Sequence, residues 1–452
     1  MTTTHGATTS YQERLGLTEV ANSERFVKAH VGRVLFSKTE GWFMWDGSHW
    51  RSVSDAETLQ MAKDVTDDMV ASFPQLGDSD RVSFAAWCTK SRTLRGLQNM
   101  LTIASGHPSL RASVDEFDSR PFRLTTPSGV VDLKTLCFYE PHPKVRCSHT
   151  TSVPYDPYAL CPEWEAYIDD RVGHDDAMAG YLQQALGQGL IGLTGERMYF
   201  LHGPTHCGKT TILEIVRMVL GSYATVVRPE VFMAKQSRGD SATPALAALR
   251  GIRFVKCSET KSTDQLDEAI VKLVTGTDRI SVRRLYREPF DMKPAFTVYV
   301  ATNRMPGLAN KDDAISERPR VITLDAKHSG HDELYAEGIV AREGPGILRW
   351  LILGANAVVT NKTSNPPKRV QDSTRQYLSD NDPLTEWLAA RCMRQADAQT
   401  AGLRKDYLDW CKEAGASPLG DRSWSLAMEA AGFTKEGHSK HGALYGGLKL
   451  RR

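Results

Sequence analysis

Apolar and polar positions change their spacing along this chain, and the sharpest change falls at 198–220. Met198 to Leu201 is an unbroken apolar run, the pattern of a short buried strand. After a polar, glycine-bearing stretch, Ile212, Leu213, Val216 and Val219 recur at helical spacing and stop at Gly221, which predicts a helix with a natural C-terminal end. Apolar runs at 254–257 and 297–301 predict two more strands, ending at Ser258-Glu259 and Thr302-Asn303. Upstream, Arg25-Phe26-Val27 reads as helical, 41–47 as a hairpin turning at Asp46-Gly47, 55–105 as helices and 126–133 as a turn and strand. Pro154 to Pro157 marks a linker; helices follow from near Cys161 and over 175–189. Beyond Pro366-Pro367-Lys368, a second linker, the spacing predicts helices at 382–392, 402–414 and 424–431 and a small hairpin over 438–450. Four segments result: a polar, Thr-rich disordered tail at 1–20, an α+β domain at 21–155, a core at 160–365 and a separate unit at 374–452.

The polar stretch after the first strand is Gly203-Pro204-Thr205-His206-Cys207-Gly208-Lys209-Thr210, followed by Thr211, and fits G-x-x-x-x-G-K-[ST] between a strand and a helix. Glycine lets backbone N–H groups close around phosphate oxygens at a helix N-terminus. Lys209 would neutralise β- and γ-phosphates and the Thr210 hydroxyl would help hold Mg²⁺, so ATP is the expected ligand. A chance glycine loop is the plainer alternative, and the flanking strand and helix argue against it. Glu259 stands where a strand-tip acid would bind Mg²⁺ through water or polarise the attacking water; Ser258 fills the place of the usual preceding Asp. Asn303 is a strand-tip amide able to sense the γ-phosphate. Arg318 and Arg320, after Asp312-Asp313, suit a subunit interface. Arg279, Arg283, Arg284, Arg287 and Lys293 interleave with Tyr286 between prolines, a hairpin suited to tracking a nucleic-acid backbone, or otherwise a charged surface hairpin.

The whole-chain numbers narrow this only slightly. At 452 residues two or three domains are expected, and a net charge of +2 leaves any basic surface local. The 8 cysteines form no C-x-x-C pair and no secretory signal precedes them, so reduced thiols in a cytoplasm are expected. Cys137, Cys147, His149 and Cys161 match no zinc spacing and read as structural thiols. No apolar run approaches membrane-spanning length, so the protein is expected to be soluble. Trp42, Trp45 and Trp50 read as a sheet core rather than a base-stacking platform, and Lys90, Arg92 and Arg95 as a solvated face. The acidic pairs Asp67-Asp68, Asp78/Asp80 and Asp115/Asp118 lack the strand context that two primase metals need, so primase activity is not expected here.

In this order the motifs resemble the helicase of the phage and plasmid primase-helicase family, superfamily 3 within the AAA+ ATPases. The resemblance spans 17–450. It rests on Phe200 to Pro204 with Gly208-Lys209-Thr210, on 253–259, on Lys272 to Asp278, on Ala301-Thr302-Asn303 with Pro306, and on Asp312-Asp313-Ala314 with Arg318. Ser128 to Leu133 and Gly344 to Leu351 also fit. His206, Cys207, Thr277 and Glu317 depart from the family pattern. The resemblance implies an α/β protein: an AAA+ P-loop ATPase core with an α+β N-terminal domain and a C-terminal winged-helix-like domain. It implies a ring, as a hexamer, with Lys209, Thr210, Glu259 and Asn303 from one subunit and Arg318 (or Arg320) from the next. Lys272 and the arginine hairpin would face a pore carrying single-stranded DNA, moved 3′ to 5′. Arg422, Ser423, Trp424, Lys435, Lys440 and His441 would meet duplex DNA or a docking protein. The function implied is an ATP-dependent replicative DNA helicase of a phage, plasmid or integrated element, acting in the host cytoplasm beside a separate primase or polymerase. A non-unwinding origin-binding loader that uses ATP as an assembly switch is the alternative. A small-molecule P-loop kinase lacks a candidate acceptor pocket.

Overall fold

The computed structural model describes residues 16–72, 78–234, 242–257, 265–284, 289–308, 313–325, 334–361, 365–380, 383–414, 418–439 and 442–451. Most of the tail expected at 1–20, together with Ser258, Glu259, Tyr286, Arg287, Asp312, Lys440 and His441, lies outside these residues. One compact unit runs in the main to Pro154 and a second from Tyr155 onward.

The first unit opens with helix α1 (Glu19–His30), whose N-terminus is capped by the Thr18 hydroxyl accepting from Ala21 N at 3.1 Å. A three-stranded antiparallel sheet follows among the described residues: β1 (Val34–Ser37), β2 (Gly41–Trp45) and β3 (Trp50–Ser52). Trp45 pairs with Trp50 across the Asp46-Gly47 turn. Trp50 is 2% exposed, and Phe43 stacks on Phe117 with centroids 4.5 Å apart, so this aromatic group is core. Helices α2 (Asp55–Ala71), α3 (Asp78–Ser91) and α4 (Leu94–Ala104) come next, and Phe26, Val65, Leu97 and Met100 close the α1–α2–α4 core. Ser54 and Glu57 form a capping box on α2, the reciprocal pairing that satisfies orphan N–H groups. Strands β4 (Arg123–Thr126), β5 (Gly129–Asp132) and β6 (Phe138–Tyr139) make a second small antiparallel sheet. Arg92 is paired with Asp67 at 2.7 Å, consistent with a solvated charged face.

The second unit opens with α5 (Pro162–Val172) and α6 (Asp176–Gly187), and its centre is a parallel sheet. In chain order its elements are β7 (Met198–His202), α7 (Lys209–Leu220), β8 (Ala224–Val227), α8 (Ala242–Ala247) and β9 (Phe254–Cys257). After them come β10 (Gln265–Leu266), α9 (Glu268–Thr275), the pair β11 (Ile280–Val282) and β12 (Phe290–Met292), and β13 (Thr297–Thr302). Next are β14 (Gly307–Leu308), α10 (Asp313–Ser316), β15 (Pro319–Thr323), and the long α11 (Tyr335–Asn361). The five strands lie in the order β15-β7-β13-β9-β8. Strands β9 and β13 are buried throughout, as expected where helices cover both faces of a parallel sheet. Tyr299 stacks between Tyr199 (5.4 Å) and Phe254 (4.3 Å) and donates its hydroxyl to Ala185 O at 2.6 Å. This ladder of rings locks β7, β13 and β9 in register, so their C-terminal tips meet.

Helix α11 runs straight through Gly344-Pro345-Gly346, where sequence rules would place a break. It packs against α6 so closely that a methyl on Gly354 would lie 2.3 Å from Gln183 O. From α11, Glu343 reaches the start of α5 and accepts from Glu163 N at 3.0 Å and Trp164 N at 2.9 Å, while Arg342 pairs with the Glu163 carboxylate at 2.7 Å. A carboxylate on the first N–H groups of a helix is favourable both as a cap and against the helix dipole. Glu343→Ala is therefore expected to cost about 2 kcal/mol, seen as a lower midpoint in thermal unfolding; an unchanged midpoint would refute the capping role.

Helix α12 (Lys368–Asp380) begins before Thr374 and belongs to this sheet. Val321 N donates to Thr374 Oγ1 at 3.0 Å, and Tyr377 Oη donates to Pro306 O at 2.8 Å. The unit expected from 374 thus starts inside a helix that covers the β15 edge. Beyond it come α13 (Pro383–Arg391), β16 (Cys392–Thr400), α14 (Leu403–Ala414), α15 (Asp421–Ala430), β17 (Lys435–Ser439) and β18 (Gly442–Leu450). The strands pair as β16-β18-β17, and Trp387, Tyr407, Trp424 and Met428 form the core. Strand β16 was not expected from the sequence. The described exposed side chains of α15, Asp421, Ser425, Leu426 and Glu429, are acidic or neutral, and Trp424 is buried at 3% exposure, not presented to a partner.

Candidate nucleotide-binding site

Strand β7 delivers the chain to Gly203, and α7 starts at Lys209. Gly208 sits at the helix N-cap with φ +91°, a left-handed conformation that glycine adopts without strain, and among the described residues no side chain caps this helix. The first N–H groups of α7 are consequently left for an external acceptor, which is the electrostatic preference of an anion. His206, at φ +65°, carries the rest of the turn.

Lys209 is 5% exposed. Its ammonium donates to Gly203 O (2.9 Å), Pro204 O (2.7 Å), Cys207 Sγ (3.3 Å) and Asn303 Oδ1 (2.7 Å). A buried cation must be satisfied, and these acceptors do so in the space where phosphate oxygens would compete for the same protons. Asn303 follows β13, which pairs with β7 so that Thr302 lies beside His202. Its amide nitrogen donates to Thr205 Oγ1 at 3.4 Å. Thr205, His206 and Thr210 are exposed around the loop, Pro204 and Thr211 are half-buried, and Cys207 is fully buried. At the end of β7, burial pushes the His202 imidazole below its ordinary pKa and the nearby Lys209 charge adds to the shift, opposed by a backbone hydrogen bond at Asn303.

The structure thus joins Lys209, Asn303 and Thr205 at one sheet end. It places Arg318 elsewhere: Pro319 lies beside Met198, so Arg318 is at the opposite end of β7, about 15 Å of strand from the loop. There Arg318 Nη1 donates to Glu196 O at 3.2 Å and lies 3.5 Å from the Glu196 carboxylate. Arg320 Nη1 donates to Glu317 O at 3.0 Å and Pro319 O at 2.7 Å. Of the basic set, Lys272 is half-buried on α9. Arg279, Arg283 and Lys293 are exposed and Arg284 half-buried around β11 and β12. Arg279 Nη2 donates to Asp291 O at 3.1 Å across that pair.

Sequence reading missed two residues that stand against the loop. Tyr167 and Arg171 lie one helical turn apart on α5, and a methyl on Gly208 would meet Tyr167 Oη at 2.6 Å and Arg171 Cδ at 3.0 Å. Their i, i+4 spacing on a helix just ahead of the glycine loop was the available signal.

Residues 23–173 match a family described as D5 N terminal like. Residues 201–319 match a family of unknown function, DUF5906. The protein named "Putative helicase L207/L206" of Acanthamoeba polyphaga mimivirus is 29% identical over 220 residues, covering 48% of this chain and 23% of that protein. "Primase D5" of Fowlpox virus (strain NVSL) is 23% identical over 223 residues, covering 46% of this chain and 28% of that protein. The chain therefore spans only 23% to 28% of the length of these curated relatives. The apo A form of the NrS-1 C terminal region superposes with a TM-score of 0.47 at 10% identity, over 90% of this chain and 85% of that one. Among the described residues, no helix is long and apolar enough to cross a membrane. A D5 N terminal like region ahead of the 203–210 loop, together with viral relatives named putative helicase and primase D5, supports the resemblance of this chain to the phage and plasmid primase-helicase family.

Proposed function

We propose that this chain is an ATP-driven DNA helicase or translocase of replication, an AAA+ ATPase of superfamily 3 that works as a ring around single-stranded DNA. The observation that carries the reading is Lys209: a buried ammonium at an uncapped helix start, bound at 2.7 Å to an amide on the neighbouring strand. Phosphate arriving at the α7 N–H groups offers Lys209 charged acceptors in place of Gly203 O and Pro204 O. Asn303 is then released to meet the γ-phosphate or its attacking water, which links the phosphate state to β13. Thr210, exposed at the start of α7, is the hydroxyl suited to Mg²⁺, with Glu259 as the second candidate. That ion would draw charge from the β- and γ-phosphate oxygens as the bond breaks. Arg318 cannot reach its own loop, and in a ring it would serve the neighbour's. Arg279, Arg283 and Lys293 supply exposed charge for a DNA backbone. The helix–strand–helix–helix–strand–strand order after α12 supports a winged-helix reading of the C-terminal region, with Lys435 on its hairpin the described cation for a duplex phosphate.

Steady-state ATP hydrolysis with and without single-stranded DNA tests the reading. Turnover is expected to rise at least about fivefold with DNA and to fall on the order of a hundredfold in Glu259→Gln, while nucleotide still binds. DNA-independent turnover, with nucleotide-dependent assembly retained, would instead select the loader.

A further inference from the structure

Arg171 is a buried cation with unused hydrogen-bonding capacity beside the phosphate loop. It is 3% exposed, and its Nε and Nη1 find no acceptor among the described residues. Nη2 is 3.6 Å from the Asp170 carboxylate, which is itself half-exposed to solvent. One face of the guanidinium lies 4.7 Å from the centre of the Tyr167 ring. Leaving charged donors unpaired in a protein interior is costly, so such a group calls for an acceptor.

The surroundings say which acceptor. Arg171 Nε would be 3.3 Å from a methyl on Gly208, so the guanidinium stands against the loop. Lys209 is engaged separately, by Gly203 O, Pro204 O and Asn303 Oδ1. Tyr167, half-buried, covers Arg171 and hydrogen-bonds both Arg171 and Thr211, the second residue after the loop lysine, so Nε and Nη1 are the donors left over. Tyr335, the first residue of α11, packs its ring 5.2 Å from that of Tyr167. The Glu343 cap and the Arg342–Glu163 pair fix α5 against α11, so the arginine is placed by a rigid support.

We propose that Arg171 is a second cation of the nucleotide site, taking an α-phosphate oxygen of a nucleoside di- or triphosphate when Tyr167 swings off its face. This rests on the phosphate-loop reading. The terminal phosphates belong to Lys209, and the phosphate nearest the nucleoside falls to the Thr211 flank, where Tyr167 and Tyr335 offer aromatic surface to the nucleoside.

The test uses the full chain and calorimetric titration with MgADP and MgATP, alongside thermal unfolding without nucleotide. Arg171→Met is expected to weaken both nucleotides by a similar factor, roughly tenfold to a hundredfold, because both carry the α-phosphate. Without ligand its melting midpoint should hold or rise, because an isosteric apolar side chain removes an unpaired buried charge. Arg171→Lys should recover part of the affinity. A purely structural arginine gives the opposite pattern, in which Arg171→Met melts earlier and binding falls only as the fold does, and that overturns the proposal. Wild-type affinity in a well-folded Arg171→Met also overturns it. Failure of the wild type to bind either nucleotide, or full binding by Lys209→Ala, would overturn the phosphate-loop reading instead.

Discussion

Replacing Lys209 with alanine is expected to abolish measurable ATP turnover, a loss of at least about a hundredfold, by removing the charge that faces the transferring phosphoryl group. Nucleotide affinity should fall as well, since on the proposed reading Lys209 meets the β- and γ-phosphates in ground and transition states alike. The fold should register the change. The ammonium is the hydrogen-bond donor to Gly203 O, Pro204 O and Asn303 Oδ1, and its loss leaves those acceptors to whatever water enters the loop. About 1–3 kcal/mol of local stability is at stake, a shift of a few degrees in melting midpoint. Malachite-green phosphate release and differential scanning fluorimetry read the two effects. Normal turnover in a variant confirmed to lack the lysine would remove the loop from the chemistry altogether.

The loop was legible because its requirements are local. A buried run, a glycine turn and a helical stripe are short-range patterns, and β7, Gly208 and α7 follow them directly. Long-range packing decided what could not be read. Strand β16 has the sequence Cys-Met-Arg-Gln-Ala-Asp-Ala-Gln-Thr, without clear alternation, and is a strand because β18 supplies its ladder. Helix α11 survives Gly344-Pro345-Gly346 because this segment is held from outside: a methyl on Gly346 would lie 2.1 Å from Leu160 O, so the glycine is there for close approach. Helix α12 looked like linker and tail, yet Val370, Thr374 and Tyr377 recur every three to four residues and turn their stripe onto the sheet. The burial of Arg171 could not be read for a related reason. A charged residue in a polar helix reads as solvent-facing, and the approach of α5 to Gly208 with the Tyr167 ring over the guanidinium buries it.

Arg318→Ala is expected to reduce ATP turnover on the order of a thousandfold while nucleotide affinity changes only a few-fold, the signature of a cation engaged mainly in the transition state. Geometry makes the prediction specific. Arg318 O accepts from Met198 N at 2.9 Å at the start of β7, whereas Lys209 follows the end of that strand. One guanidinium cannot bridge that span, so any contribution to hydrolysis must go to another subunit. Within its own chain the side chain rests on Glu196, a residue at φ +52° whose carbonyl and carboxylate both face it. In the proposed ring, a neighbour's phosphate with its developing charge would be a better partner. Co-expression of Arg318→Ala with Lys209→Ala under separate tags gives the decisive reading. Each variant alone is inactive, but in a mixed ring an intact loop on one chain can face an intact arginine on the next. Random equal mixing then restores about a quarter of the interfaces, as a head-to-tail interface requires. Recovery near that level, with Arg320→Ala left active, assigns the arginine to its neighbour. Full activity in Arg318→Ala alone, or a mixture as dead as its parts, would dismantle the shared site and with it the ring.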